Sequence, residues 1–228
     1  MLVIFHGEHH TQSRAALTQA IAAAQQHGRQ VAHLEVKNLE PSGLAVSLQT
    51  QSLFAEPRTI VLEELHSLPK SKRKDELIAL IAQFAEQAEI EIILWEKKQL
   101  TATELKKFPH AKVQAFIPTR SMFAWLNALS GQQTEATKAK MVTLFQKAVE
   151  SDGEQFCFAM LIRQVRLLME AKEGNNPTQF KMAAQAQLFS WTQLFSLHKK
   201  LLEIDLLQKT SGTPFTISSQ VELLMVTL

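Results

Sequence analysis

Short apolar runs alternate with helix-type segments over the first half of the chain. A run such as Leu2–Phe5, which has no polar residue, is typical of a strand buried on both faces of a parallel sheet. Helices are predicted over residues 12–27, 41–52 and 71–88. Strands that alternate with helices favour an α/β fold with a five-stranded parallel-type sheet. The five predicted strands are Leu2–Phe5, Val31–Val36, Thr59–Leu62, Ile90–Trp95 and Lys112–Ile117.

The strand pattern ends at Pro118, and the rest of the chain reads as helices separated by glycines. We therefore predict two domains, an α/β domain over residues 1–118 and an all-α domain over residues 119–228. Residues 191–208 form the longest predicted helix, and six large apolar residues share a broad face of it: Leu194, Phe195, Leu197, Leu201, Leu202 and Leu206. The predicted helices are 121–129, 134–149, 154–172, 178–188, 191–208 and 218–228.

The composition is that of a soluble globular protein, with 46% hydrophobic and 20% charged residues among 228. No apolar run reaches the ~18 residues of a membrane span, and the first residues lack the basic region of a secretory signal. Cys157 is the single cysteine, so the chain forms no internal disulfide, which fits a reducing compartment. These features predict a cytoplasmic protein with no membrane partner.

The charged residues form local runs although the formal net charge is only +2, which by itself predicts no nucleic-acid partner. The runs allow two interpretations, a solvated helix start or a patch that faces phosphates. Lys97-Lys98 and Lys106-Lys107 are two of them. The third supplies our candidate DNA contacts, which are Lys70, Lys72, Arg73 and Lys74.

The loop after the first strand occupies the place of a phosphate-binding loop, which needs glycines and a lysine followed by Ser or Thr. Residues 6–14 contain one glycine and no lysine, and Glu8 would repel a phosphate. Glu63-Glu64 is similar to the magnesium-binding acidic pair of NTPases, but without that loop a solvated strand end is the better interpretation.

The histidines of the same loop invite a metal-site interpretation, but we expect a surface turn because no second group of ligands follows. No nucleophile arrangement is recognisable either. We therefore predict no catalytic residue, no cofactor and no metal, with a degenerate P-loop NTPase as one alternative and a DNA-binding module as another. The histidines are His6, His9 and His10.

An apolar pair, Leu53 and Phe54, lies between the predicted helix 41–52 and the strand that begins at Thr59. Gln51 and Ser52 precede the pair. The two side chains could belong to the core, or they could project as a wedge that a partner desolvates. Both interpretations stay open on the residues alone.

The order of these features resembles the delta subunit of the bacterial DNA polymerase III clamp loader. The resemblance rests on the Gly7-Glu8 turn, on Ser52-Leu53-Phe54 followed by Arg58, on Ile92–Lys98, on Arg163-Gln164-x-Arg166-x-Leu168, and on Leu201–Asp205 followed by Lys209-Thr-Ser-Gly212. The lid domain of that family has no counterpart between Pro118 and the first helix that follows. The chain is thus similar to a shortened member of the family.

The resemblance implies a degenerate AAA+-like α/β domain and a helical collar. It implies that the wedge, Gln51 to Phe54, binds the DNA sliding clamp and helps to open it, within a DNA polymerase III assembly whose other subunits bind ATP. It further implies that the collar contacts other clamp-loader subunits, and that any DNA contact is weak or indirect. The implied collar residues are Arg163, Arg166, Leu202 and Asp205.

Overall fold

The structure, a computed structural model, describes residues 1–49, 57–85, 90–132, 134–174 and 180–227. It divides into two compact units, Met1–Ile117 and Pro118–Leu228. Whether the units carry the domain roles predicted above stays a prediction.

The first unit is built on one parallel sheet. Within the described residues the sheet has five strands, in the order β2-β3-β4-β1-β5. The predicted α/β fold with a five-stranded parallel sheet is thereby confirmed. The strands are β1 (Leu2–His6), β2 (Gln30–Leu34), β3 (Arg58–Glu63), β4 (Ile90–Glu96) and β5 (Lys112–Ala115).

The apolar pattern of the strands decides their place in the sheet. The three central strands β1, β3 and β4 are almost fully buried, whereas the edge strand β5 exposes all four of its residues. The other edge strand, β2, is only partly buried. Its mixed polar and apolar sequence fits this partial burial, since a strand buried on both faces reads as a continuous apolar run.

Helices cover both faces of the sheet. Alternate strand residues, among them Phe5, Val61 and Trp95, pack with Leu17 of one helix. The intervening residues, such as Ile4 and Leu62, pack against the other helices of the unit. This period of two follows from the alternation of side chains along a strand. The helices are α1 (His10–Gln26), α2 (Pro41–Gln49), α3 (Lys72–Phe84) and α4 (Ala102–Leu105), and 3₁₀ turns lie at Val36–Asn38 and Leu65–Ser67.

Every regular element in the described residues of the second unit is a helix, which confirms the predicted all-α region. Its core contains side chains from each of its helices or from the residues next to them, including Trp125, Phe145 and Leu161. The helices are α5 (Arg120–Ala128), α6 (Glu135–Asp152), α7 (Glu154–Lys172), α8 (Phe180–Gln187), α9 (Trp191–Lys209) and α10 (Ile217–Thr227).

Only part of the broad apolar face predicted for α9 is buried. Leu194, Leu197 and Leu201 are buried in the core with Ile204. The remaining three residues of the predicted face are 52–61% exposed, because a helix that packs on one side buries only a stripe of its surface. These exposed residues are Phe195, Leu202 and Leu206.

Candidate functional site

The loop between β1 and α1 closes onto the backbone that follows β5. Gly7 has φ +129°, and a Cβ added there would lie 2.0 Å from the carbonyl oxygen of Phe116. The His9 amide donates a hydrogen bond to the same oxygen at 3.0 Å. A glycine is required here because only its bare backbone fits so close to another chain segment.

Several amides at the start of α1 are used inside the protein. Besides the His9 amide, the His10 amide donates to the carbonyl of Glu8, and the Gln12 amide donates to Nδ1 of His9 at 3.4 Å. A helix start that binds phosphate must aim such amides at the ligand. The geometry of this loop therefore favours a structural role over phosphate binding.

A cation of the protein itself neutralises the acid at the end of β3. Nη1 of Arg14, on α1, lies 2.6 Å from Oε2 of Glu63. The guanidinium also stacks over Trp95, 3.6 Å from the ring centroid, and the indole Nε1 donates to Oγ of Ser13. Glu63 is half-buried and ion-paired, so it is not the simply solvated strand end that we expected. Its charge is offset where an NTPase would need it for magnesium.

The expected surface turn of histidines is wrong for two of its three members. His6 and His9 are only 3% and 2% exposed, whereas His10 is exposed. The reason is local: His6 is the last residue of the central strand β1, and His9 caps α1. Among the described residues, no group of three or more His, Cys, Asp or Glu side chains is placed to hold a metal ion.

A buried polar cluster lies at the carboxyl ends of β1 and β4, on the face of the sheet that is turned away from α1. Oε1 of Glu96 accepts from both Nδ1 and the backbone amide of His66, at 2.8 and 2.9 Å. Nδ1 of His6 accepts from the Leu100 amide at 3.1 Å, so its proton is assigned to Nε2. Burial lowers the pKa of His6, with the neighbouring charge of Glu96 opposing that shift.

The candidate DNA contacts divide into two pairs. Nζ of Lys74 donates to the carbonyls of His66 and Leu68, at 2.7 and 2.8 Å. Arg73 bonds to the carbonyl of Lys37 and to Glu40. Lys74 therefore holds the turn before α3 in place, and Arg73 ties α3 to the segment that precedes α2. The other pair, Lys70 and Lys72, is exposed.

The sequence did not indicate a cleft at the carboxyl ends of β2 and β3. It has a volume of about 600 Å³ and is lined in part by carboxylates. One of them belongs to Glu64, whose φ of +59° is unusual for a residue other than glycine. The acidic lining residues are Glu35, Glu63 and Glu64.

The predicted wedge residues, Gln51, Ser52, Leu53 and Phe54, lie outside the described residues. The description stops at Gln49, the last residue of α2, and resumes at Pro57, just before β3. The wedge therefore stays a prediction.

The predicted collar residues lie on two helices of the second unit. Arg163 and Arg166 are exposed on α7, and Leu202 is 52% exposed on α9. Asp205 accepts from Nζ of Lys209, one turn further along α9, at 2.6 Å.

Cys157 has no features of a reactive thiol. It is fully buried in the core of the second unit, and burial raises its pKa to about 12. A thiol with so high a pKa carries almost no thiolate near neutral pH, so it is a poor nucleophile.

No protein-family model matches the chain. No curated protein matches it. Among the described residues, no helix is long and apolar enough to cross a membrane.

Three solved structures show a distant similarity. The chain is similar to the Bacillus subtilis DNA clamp loader delta protein at 12% identity and a TM-score of 0.47, covering 99% of this chain and 94% of that chain. It is similar to the Aeropyrum pernix Orc1 protein in complex with DNA at 13% identity and a TM-score of 0.35, covering 90% and 77%. The replication initiator DnaA, bound to AMPPCP and single-stranded DNA, gives 10% identity and a TM-score of 0.34, with 97% and 76% covered. Similarities at this level establish no family and carry no argument about function.

Proposed function

We propose that the chain is a delta-like clamp-loader subunit that binds the DNA sliding clamp and does not hydrolyse ATP. The observation that carries this proposal is the internal use of the phosphate-loop position. Gly7 packs against the backbone of Phe116, to which the His9 amide donates a hydrogen bond, and Arg14 forms an ion pair with Glu63. These contacts support a protein that acts through its surface, and they disfavour the alternative of a degenerate NTPase.

The clamp-binding part of the proposal rests on Leu53 and Phe54. The resemblance to the clamp-loader delta subunit implies that these residues correspond to the wedge that enters an apolar pocket of the clamp. Full desolvation of two such side chains is worth roughly 1.5–3 kcal/mol each. This energy helps to open a clamp interface only if the open clamp binds the wedge better than the closed one.

The collar part of the proposal is supported by apolar surface on the second unit. Leu202 and Leu206 of α9 are 52% and 61% exposed, and Leu223 and Val226 of α10 are 65% and 48% exposed. A groove of about 360 Å³ lies between residues of these two helices, including Ile204 and Leu223. Apolar helix surface of this kind is suited to helix–helix packing against other loader subunits.

The experiment replaces Leu53 and Phe54 together by alanine and measures binding to the purified sliding clamp by calorimetry. We expect the affinity to fall by about 10²–10⁴-fold, since every 1.4 kcal/mol is a factor of ten. A control with matched chemistry replaces Val46 and Phe123, which are 63% and 49% exposed, and it should bind as the unaltered chain does.

Thermal melting of the same proteins separates the wedge from the core interpretation. If Leu53 and Phe54 belonged to the core, the double variant would lose several kcal/mol of stability and melt at a lower temperature. A variant that melts normally and binds the clamp with undiminished affinity would sink the proposal. A variant that melts normally and has lost the clamp supports it.

A further inference from the structure

Three lysine-rich runs that are far apart in the sequence meet at one edge of the sheet. Lys97 and Lys98 follow β4 directly, and Lys70 and Lys72 follow β3 after the 3₁₀ turn Leu65–Ser67. Both strands are parallel, so their carboxyl ends lie at the same edge. We name the six exposed lysines of these runs the basic edge: Lys70, Lys72, Lys97, Lys98, Lys106 and Lys107.

Three contacts fix how close the runs are. The amide of His66 bonds to Glu96 at 2.9 Å, so the turn before Lys70 touches the end of the strand that precedes Lys97. With at most about 3.5 Å per residue, Lys70 and Lys97 lie within roughly 25 Å of each other. Nζ of Lys107 lies 3.4 Å from Asp75 in the first turn of α3, which brings the third run beside the first.

Charge is segregated to this edge. Residues 70–76, 97–98 and 104–107 hold eight basic and three acidic side chains, a net charge of +5, or +3 without Arg73 and Lys74, which bond inside the protein. The whole chain carries +2, so the remaining residues together carry −3. A surface that is this basic on a nearly neutral protein attracts polyanions locally.

The structure also indicates which polyanion fits. The positive groups are lysines, which act as point charges toward phosphates rather than as planar readers of bases. The aromatic side chain of this region, Phe108, is only 3% exposed and offers no platform on which a base could stack. Both features favour the phosphate backbone of duplex DNA over single strands.

We propose that the basic edge binds the phosphate backbone of duplex DNA without sequence preference. The proposed site excludes Lys74, which holds the turn before α3, and Arg73, which bonds to Lys37 and Glu40. It adds the lysines of residues 97–98 and 106–107. The acidic cleft with Glu35 and Glu64 lies beside the same turn. Its carboxylates would repel phosphates, so the proposal places the DNA on the α3–α4 side. This proposal goes beyond clamp binding and does not depend on it.

The test measures binding of the full chain to a labelled duplex by fluorescence anisotropy, with no clamp present. A duplex of about 20 base pairs is long enough, since roughly 25 Å of DNA spans about seven base pairs. Four lysines of the basic edge are changed in one variant, written Lys70→Gln, Lys72→Gln, Lys98→Gln and Lys106→Gln. The control changes four other exposed lysines, written Lys112→Gln, Lys140→Gln, Lys147→Gln and Lys199→Gln.

Four phosphate contacts predict that the affinity of the unaltered chain falls about 10²-fold between 50 and 200 mM salt. The basic-edge variant should lose most of this salt dependence and bind at least about tenfold more weakly at 50 mM salt. The control variant should keep both the salt dependence and the affinity of the unaltered chain. Equal losses in the two variants, no binding by the unaltered chain, or tighter binding to a single strand of the same length would each overturn the proposal. Because no clamp is present, none of these results bears on the wedge.

Discussion

Replacement of Gly7 by alanine probes the closed loop on which the proposed function rests. The added methyl group would lie 2.0 Å from the carbonyl oxygen of Phe116 and 2.6 Å from its carbonyl carbon, whereas ordinary contacts begin at 3.4 Å. The opposing atoms belong to the backbone, so a rotation of a side chain cannot relieve the clash. The two segments must move apart.

The cost follows from two contributions. A side chain at φ +129° is strained, which costs about 1–3 kcal/mol. Separation of the segments weakens two hydrogen bonds, from the His9 amide to Phe116 at 3.0 Å and from the Phe116 amide to His6 at 2.7 Å. Each is worth about 0.5–1.5 kcal/mol net, so the variant should lose about 2–6 kcal/mol in total.

Urea denaturation gives the free energy of unfolding, and Gly28→Ala is the matched control. Gly28 also has positive φ, +71°, but an added Cβ would meet nothing within 4 Å. Its replacement should cost only the backbone contribution, about 1–2 kcal/mol. If Gly7→Ala costs no more than Gly28→Ala, the loop has room to open, and its closure no longer counts against the NTPase alternative.

Two further predictions concern His6 and the surface of α9. Burial lowers the pKa of His6, so the unfolded state binds its proton more tightly; the resulting stability is present above the ordinary pKa of ~6.5 and is lost as the pH falls toward the lowered pKa. Urea denaturation should therefore show that the free energy of unfolding falls more between pH 7 and pH 5 in the unaltered protein than in His6→Gln. Equal falls in the two proteins would contradict this. Leu202→Ser with Leu206→Ser should abolish co-elution with other loader subunits without lowering the melting temperature, since both side chains are more than half exposed, whereas Phe123→Ser should co-elute normally. Co-elution of the double variant would refute the collar assignment.

Apolar periodicity predicted most of the fold because the central strands are buried on both faces. Apolar runs such as Leu2–Phe5 and Thr59–Leu62 predict buried strands, and the structure places β1 and β3 at these positions. Helix α4 was missed because four residues show no periodicity. Its signal is the capping box in which Thr101 and Glu104 bond to each other's backbone amides. The Thr101 amide also lowers the pKa of Glu104.

The site was harder to predict because charge patterns do not show which side chains the fold itself uses. Lys72 and Lys74 look alike in the sequence, yet Lys72 is exposed while Lys74 bonds to two carbonyls. The histidines were predicted to be exposed for a similar reason, since a polar residue at the end of a strand suggests a surface position unless its hydrogen-bond partner is known. The partner of His6 is the amide of Leu100, ninety-four residues away.

The carboxyl edge of an open α/β sheet is where ligands usually bind, and here most of its polar groups have internal partners. On the α1 side, the carbonyl of Phe116 accepts a hydrogen bond from the amide of His9, and Arg14 forms an ion pair with Glu63. On the other side, His66 bonds to Glu96 inside the protein. Since these groups already have partners, a ligand at this edge would have to use those that remain exposed. On the α3–α4 side the exposed groups are mostly lysines, whereas the cleft beside β2 and β3 is lined by carboxylates. The lysine side is therefore the part of this edge that suits a polyanionic partner.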